Sequence, residues 1–417
     1  MKKEFNIKVK VITKEKTYEG ILLESHDSKI ILLKLKNGYN IGIKKDSILK
    51  ITKLSNLKEQ KTKKTDQDKT LPKIAIIATG GTIASKVDYQ TGGVLAVENP
   101  YDLLENFPEL KKIIRFEVHV PFSDDSSQVS PKEWVRWSKL VAKLVNMPQI
   151  KGVVILHGTD TLHYSASALS FMLHNLNKPV VFTFSQRSVD RGSSDSFLNI
   201  RCACHAALSN IAEVMVVGHE KSDDDSCLMI RGTKVRKMHS SIRGAFKPIN
   251  ENPLAKVFSD GRIDILNHKF RKRHEGKVKP LSFFEEKTAL VKFFPGSSSE
   301  ILDSLIKKGY KGIIIEAVGL GQLPVEGTNS WLTKIKQAIY KKIFVGVTSQ
   351  TIYGRVNPYV YSPSRKVEKA GAVYLKDMLS ETAYVKLGWL LGQKKKFKEL
   401  SKEMLENKSH EFNERMF

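Results

Sequence analysis

Two stretches of the chain, Ile74 to Ala78 and Gly152 to Leu156, contain no polar residue, and each runs directly into a turn rich in glycine and threonine. A strand with no polar position cannot show either face to water, so it must be covered on both sides. Pro179 to Phe184, apolar but for Thr183, is a third strand of this kind, and helix-period patterns fill the intervals, as in Pro131 to Asn146 and Ser165 to Asn175. Strands alternating with helices imply a mostly parallel, doubly wound α/β sheet. The same rhythm returns after residue 280, in Ala289 to Phe293, Ile301 to Gly309, Gly312 to Ile315 and Phe344 to Thr348.

The N-terminal region has a different pattern. Phe5 to Ile12, Tyr18 to Leu23, Lys29 to Leu35 and Tyr39 to Ile43 read as short strands, punctuated by His26-Asp27-Ser28 and Asn37-Gly38. Asn-Gly between apolar runs marks a hairpin, and several short strands within some 50 residues suggest a small barrel or sandwich. The predicted organisation is a small β-barrel module over residues 1–54 and a charged linker over 55–72. A large α/β domain over 73–267, a basic interdomain linker over 268–280, a smaller α/β domain over 281–392 and a charged helical tail over 393–417 follow.

Composition limits the class. In 417 residues there are 69 Lys and Arg against 44 Asp and Glu, a net charge of +25. Up to Thr70 there are 18 lysines, no arginine and 9 acidic residues, so 18 − 9 leaves +9. Such an excess suits a polyanion such as tRNA, and equally a lysine-decorated surface. No apolar run approaches the roughly 20 residues of a membrane span, and the N-terminus lacks a signal-peptide core. The three cysteines, Cys202, Cys204 and Cys227, suit a reducing compartment rather than a disulfide framework. The expectation is a cytoplasmic protein. Cys202 and Cys204 lie two apart on a helix, on different sides, which serves packing better than a metal. Asp223-Asp224-Asp225 reads as an exposed loop, so the expected metal content is none.

Two turns carry candidate chemistry. Ala78-Thr79-Gly80-Gly81-Thr82-Ile83-Ala84 follows the first apolar strand, where ligands bind at the carboxyl ends of a doubly wound sheet. Its glycines allow close backbone approach and its threonines supply hydroxyls. His157-Gly158-Thr159-Asp160-Thr161 follows the second strand and sets a hydroxyl beside a carboxylate. A threonine nucleophile needs a base or relay, and Lys237, in Val235-Arg236-Lys237-Met238-His239, is a candidate. Neither a Walker loop nor a complete G-x-G-x-x-G fingerprint occurs, so nucleotide chemistry has no motif here.

The combination of TGGTIA, HGTDT and a lysine in an RK-x-H context resembles the L-asparaginase/glutaminase family over roughly residues 73–392. That resemblance implies an asparaginase-like two-domain doubly wound sheet and acyl transfer from a side-chain carboxamide. Thr82 matches the nucleophile, and Thr159, Asp160 and Lys237 match the group that handles the proton. Tyr89, in the segment Ser85 to Gly93, matches the family's lid tyrosine. Ser126, Ser127 and Gly81 match contacts to the substrate. The N-terminal module, QRSVDRGSSD, VRKMHSSIRGAF, SQTIYGRVNPYVY and DMLSETAYVKLGWLLG are similar to the D subunits of archaeal glutamyl-tRNA(Gln) amidotransferases. This narrower resemblance implies release of ammonia from glutamine or asparagine for a partner E subunit acting on Glu-tRNA(Gln). It also implies a homodimeric core within a heterotetramer and no cofactor in this chain, ATP and Mg²⁺ belonging to the partner. An autonomous asparaginase or glutaminase, and a tRNA-binding scaffold with an idle amidase site, are the competing readings.

Overall fold

The computed structural model describes residues 7–25, 27–35, 39–56, 67–87, 94–96, 108–122, 124–189 and 191–415. His26, the Asn37-Gly38 turn, residues 57–66 of the linker and Tyr89 lie outside the described residues.

At the N-terminus, β1 (Ile7–Thr13), β2 (Thr17–Leu23), β3 (Ile30–Leu35), β4 (Asn40–Lys44) and β5 (Ile48–Asn56) form an antiparallel sheet in the order β4-β3-β2-β1-β5. It closes on a small core of Val9, Val11, Leu33 and Ile43. The edges β4 and β5 share no pairing among the described residues.

The large domain holds β6 (Lys73–Ala78), a short hairpin β7 (Ser85–Val87) and β8 (Val94–Ala96), β9 (Arg115–His119), α1 (Pro131–Val145), β10 (Ile150–Leu156) and α2 (Leu162–Met172). It continues with β11 (Leu173–His174), β12 (Val180–Thr183), α3 (Ser196–Leu208), β13 (Val214–His219), β14 (Ser226–Arg231), β15 (Val235–Lys237), β16 (Phe246–Pro248), β17 (Ala255–Phe258) and β18 (Ile263–Ile265). Five parallel strands run in the order β9-β6-β10-β12-β13, and β14, β17 and β18 extend the sheet antiparallel. The antiparallel extension was not anticipated; its short strands carry too little apolar periodicity to stand out.

Along β6, Ala75 and Ile77 pack beneath α1 and α2, whereas Ile74 and Ile76 pack against α3. From Ile74 onward the strand is therefore buried on both faces, which is why Ile74 to Ala78 are all apolar. Because β9 lies on one side of β6 and β10 on the other, the winding reverses between β6 and β10. In open α/β sheets that switch point is where loops part and a ligand crevice forms.

The strand β19 (Lys279–Pro280) pairs with β11, and the basic stretch 268–280, though mostly exposed, is tethered to the large domain. Arg273 donates to the carbonyls of Ser209, Lys151 and Ala207, and Val278 is buried. The smaller domain is a four-stranded parallel sheet of β20 (Thr288–Lys292), β21 (Gly312–Ala317), β22 (Phe344–Ser349) and β23 (Val373–Tyr374), with α4 (Glu300–Lys307), α5 (Trp331–Tyr340), α6 (Ser362–Lys369) and α7 (Ser380–Gly392). Helix α7 packs on α2, with Trp389 stacked on Phe171 at 5.6 Å, so the two domains share one core.

The tail is helical only in α8 (Phe397–Leu405), which buries Leu400 and Met404. Beyond it Ser409, Glu411 and Phe412 are buried, with Glu411 accepting from the fully buried Lys386 ammonium of α7. Breaking a buried pair leaves one charge without its partner and costs about 3–5 kcal/mol. Lys386→Met should therefore lower the unfolding free energy by roughly that amount in denaturant titrations. A loss below about 1 kcal/mol would mean that Glu411 finds solvent once released.

Candidate functional site

Three loops meet at the carboxyl ends of β6 and β10, and they meet backbone to backbone. Gly80 (φ 87°) and Gly81 (φ 77°) both hold left-handed conformations. A Cβ on Gly81 would stand 2.3 Å from the Gly158 Cα, and one on Gly80 would stand 2.1 Å from the Asp124 carbonyl oxygen. Only glycine permits such contacts. The loop carrying Thr82 is thereby pressed against the loop carrying Thr159 and Asp160.

The two threonines of the first turn are not equivalent. Thr79 is buried, and its hydroxyl donates to the Leu156 carbonyl at 2.9 Å, pinning β6 to β10. Thr82 opens the short helical turn Thr82–Ala84 and is only partly buried.

Lys237, at the end of β15, reaches the second loop across 77 residues of sequence. Its Nζ donates to Thr159 Oγ1 and to Asp160 Oδ1, both at 2.8 Å. Thr159 Oγ1 also donates weakly to Asp160 Oδ1 at 3.4 Å. The lysine side chain is 12% exposed and the aspartate 71%, so the amine lies beneath and the carboxylate faces outward. The hydrogen bond from Lys237 is the main cause that holds the Asp160 carboxyl below its ordinary range, against partial desolvation.

Ser126 is buried. Its hydroxyl accepts from the Asp160 backbone N–H at 3.2 Å, and its carbonyl accepts from the Thr161 hydroxyl at 2.6 Å. It braces the Thr-Asp loop. Ser127 next to it is exposed.

Two histidines underlie the loop. His157 Nδ1–H donates to the Gly158 carbonyl at 2.6 Å, and Nε2 accepts from Ser165 Oγ at 2.9 Å. Ser165 in turn accepts from Trp134 Nε1 at 2.9 Å. Full burial lowers the His157 pKa to about 4, and burial with Arg236 and Lys237 nearby lowers that of His163 to about 3. Both rings are neutral at pH 7 and support the loop rather than exchange protons.

Sequence reasoning did not find Ser165 or Glu381. Each is a polar residue inside an otherwise buried helix, the one signal that could have exposed them. Glu381 of α7 pairs with Arg236, next to Lys237, at 3.1 Å. Cys202, Cys204 and Cys227 are buried free thiols. Among the described residues no group of three or more His, Cys, Asp and Glu could hold a metal, and no helix is long and apolar enough to cross a membrane. A cavity of about 770 Å³, lined by residues such as Arg231, Glu251, His268 and Phe412, lies under the C-terminal segment and includes none of the cluster.

A hydroxyl–amine–carboxylate cluster on a loop that touches a glycine-built turn bearing another threonine, in this sheet order, is the arrangement of an asparaginase-type amidohydrolase fold. Residues 73–271 match the family model for the N-terminal domain of asparaginase, and 287–404 match the glutaminase/asparaginase C-terminal domain. The thermostable L-asparaginase of Thermococcus kodakarensis superposes with a TM-score of 0.74 at 29% identity, covering 82% of this chain and 100% of that one. L-asparaginase I of Vibrio cholerae gives 0.71 at 28%, covering 82% and 99%.

The particular branch is set by the N-terminal module. Residues 4–54 match the GatD N-terminal domain. The D subunit of the glutamyl-tRNA(Gln) amidotransferase of Pyrococcus furiosus is 46% identical over 410 residues, 96% of this chain and 92% of the relative. That of Methanothermobacter thermautotrophicus is 43% identical over 407 residues, again 96% and 92%. The chain belongs to the family of glutamyl-tRNA(Gln) amidotransferase D subunits.

The neutral histidines fix a pH dependence. Their folded pKa values lie below the ordinary 6.5, so below pH 6.5 the unfolded chain takes up protons that the folded chain refuses. Stability is therefore complete above about pH 6.5 and falls as pH drops toward about 4 for His157 and about 3 for His163. Each contributes at most ~1.4 kcal/mol per pH unit. Guanidinium unfolding at pH 7, 6 and 5 should show this decline, and His163→Gln should make it shallower. An unchanged slope in the variant would mean that His163 is protonated in the fold.

Proposed function

We propose that the chain is the glutaminase subunit of a tRNA-dependent amidotransferase, with Thr82 as nucleophile. The observation that carries this reading is the Lys237–Thr159–Asp160 cluster, hydrogen-bonded at 2.8 Å and held against the Gly81-Thr82 turn. A threonine hydroxyl is a weak nucleophile until a base takes its proton, and a lysine held by a hydroxyl and a carboxylate can take that proton along a fixed direction when the amine is in its neutral form. The Thr82 oxygen attacks the side-chain carboxamide carbon of glutamine or asparagine. The C–N bond breaks, the amide nitrogen leaves as ammonia carrying the transferred proton, and an ester to Thr82 remains. Water then hydrolyses the ester, releasing glutamate or aspartate and restoring the hydroxyl. Backbone N–H groups of the Gly80-Gly81 turn are suited to the oxyanion. By the family resemblance, Tyr89, outside the described residues, matches the lid tyrosine, and Ser126 and Ser127 match contacts to the amino-acid end of the substrate; Ser126 also braces the Thr-Asp loop.

The ammonia serves a partner E subunit that converts Glu-tRNA(Gln) to Gln-tRNA(Gln) with ATP and Mg²⁺, in a cytoplasmic heterotetramer built on a dimer of this chain. Membership of the D-subunit family over 96% of the chain supports this assignment. It is favoured over an autonomous amidohydrolase by the N-terminal module, whose Lys8, Lys14, Lys16, Lys29, Lys44 and Lys50 are exposed.

Ammonia release from glutamine should be low for the chain alone and rise sharply with the E subunit, Glu-tRNA(Gln) and ATP. Thr82→Ala should lower kcat by ~10³-fold or more, and Lys237→Met by about 10²–10⁴-fold. Strong release by the chain alone, indifferent to the mixture, would identify a free amidohydrolase. Full activity in Thr82→Ala would remove the threonine from its role.

A further inference from the structure

Lys237 does not sit in the main sheet. Among the described residues its strand β15 pairs only with β16, in a two-stranded hairpin. A short isolated ribbon is marginal by itself, so its position is fixed by whatever grips it. Four polar contacts on residues 233–236 come from the smaller domain or the C-terminal segment, while Val235 and Phe246 pack in the shared core.

Thr233 is fully buried, and its hydroxyl donates to the Ser409 carbonyl at 2.8 Å. The Thr233 carbonyl accepts from Thr382 Oγ1 of α7 at 3.1 Å. Lys234 is fully buried, and its ammonium meets Asp377 Oδ2 at 2.7 Å. Arg236 meets Glu381 at 3.1 Å. The far strand is held by the large domain, Phe246 on Phe184 at 4.5 Å and Lys247 Nζ donating to the Glu220 carbonyl at 2.8 Å, and by the C-terminal segment beyond its end. Just past β16, the Asn250 carbonyl accepts from Asn413 Nδ2 at 2.6 Å, while Asn413 also donates from its backbone N–H to Asp377 Oδ1 at 2.7 Å and from Nδ2 to Asp377 Oδ2 at 3.0 Å.

We propose that Thr233, Asn413 and the C-terminal segment 409–413 are positioning elements that set the reach of Lys237 toward Thr159. The C-terminal segment thereby belongs to the catalytic apparatus, although it touches no substrate. This inference rests on the amidohydrolase reading. A buried hydroxyl, that of Thr233, and a half-buried amide, that of Asn413, each bound to backbone or carboxylate, hold position because moving them leaves polar atoms without partners. A small displacement of an acid–base group lowers the rate of the chemical step without weakening substrate binding.

The test uses the full chain with its partner subunit, tRNA and ATP, assayed for ammonia release under conditions where every variant is folded by circular dichroism. Thr233→Val keeps the shape and removes the donor, and should lower kcat about five- to twentyfold with KM within about twofold. Thr233→Ser, which restores the hydroxyl, should return kcat to within about twofold of the parent. Asn413→Ala should behave as Thr233→Val does. Val345→Ala, in the smaller domain's own core, should destabilise the fold while leaving kcat in place. Parental kcat in folded Thr233→Val and Asn413→Ala would overturn the inference, as would an equal loss in Val345→Ala. An inactive parent, or Thr82→Ala as active as the parent, would instead overturn the amidohydrolase reading itself and this inference with it.

Discussion

The close approach of Gly81 to Gly158 is the contact on which the site depends. Strands β6 and β10 are neighbours in the sheet but belong to different turns of the winding, so their loops leave the sheet edge in diverging directions. The loop that carries Thr82 and the loop that carries Thr159 and Asp160 are brought together by their backbones touching. Any Cβ at Gly81 would sit inside the van der Waals radius of the Gly158 Cα. The same constraint sorts the two hydroxyls. Thr79 lies in register with the strands and is drawn into the Leu156 carbonyl, whereas Thr82, past both glycines, is left partly open.

How much of this could be read from the sequence follows from how local each cause is. The parallel strands were legible because two-sided burial forces apolar residues at consecutive positions, as in Ile74 to Ala78. The turns were legible because glycine and threonine have few other reasons to cluster at strand ends. Lys237 was legible only through resemblance, since its contact with Asp160 closes over 77 residues and nothing in VRKMH reports it. The C-terminal segment was misjudged for a related reason. NKSHEFNER is polar and charged, yet Glu411 and Asn413 are taken up by buried partners on other elements. Local composition shows the charge and not the partner.

The net charge of +25 also looks different once its distribution is known. Arg231, Lys234 and Lys386 are buried against carboxylates, and Arg273 is occupied by three backbone carbonyls. These cations shape the fold and contribute little field at the surface. The N-terminal module is the contrary case, a domain with a four-residue core and lysines around its exterior. If the chain meets a polyanion, the physical argument from charge applies to that module far better than to the domain that carries the threonines.

The electrostatics of the cluster are simple because its surroundings are kept neutral. With His157 and His163 unprotonated at pH 7, the cations facing Asp160 are reduced, among the described residues, to Lys237, and the carboxylate of Glu381 is directed to Arg236 instead. Two ion pairs therefore alternate along one short strand, Arg236 turned toward the smaller domain and Lys237 toward the threonines. A strand of three residues with opposite side chains engaged on opposite sides has little freedom to rotate about its axis. Exchanging the destinations of Arg236 and Lys237 would turn both faces together, the consequence of the two-residue period of a β-strand. The guanidinium meets the buried Glu381 carboxylate, to which a planar, permanently charged group is well matched. The Lys237 amine is turned the other way, toward Thr159 and Asp160.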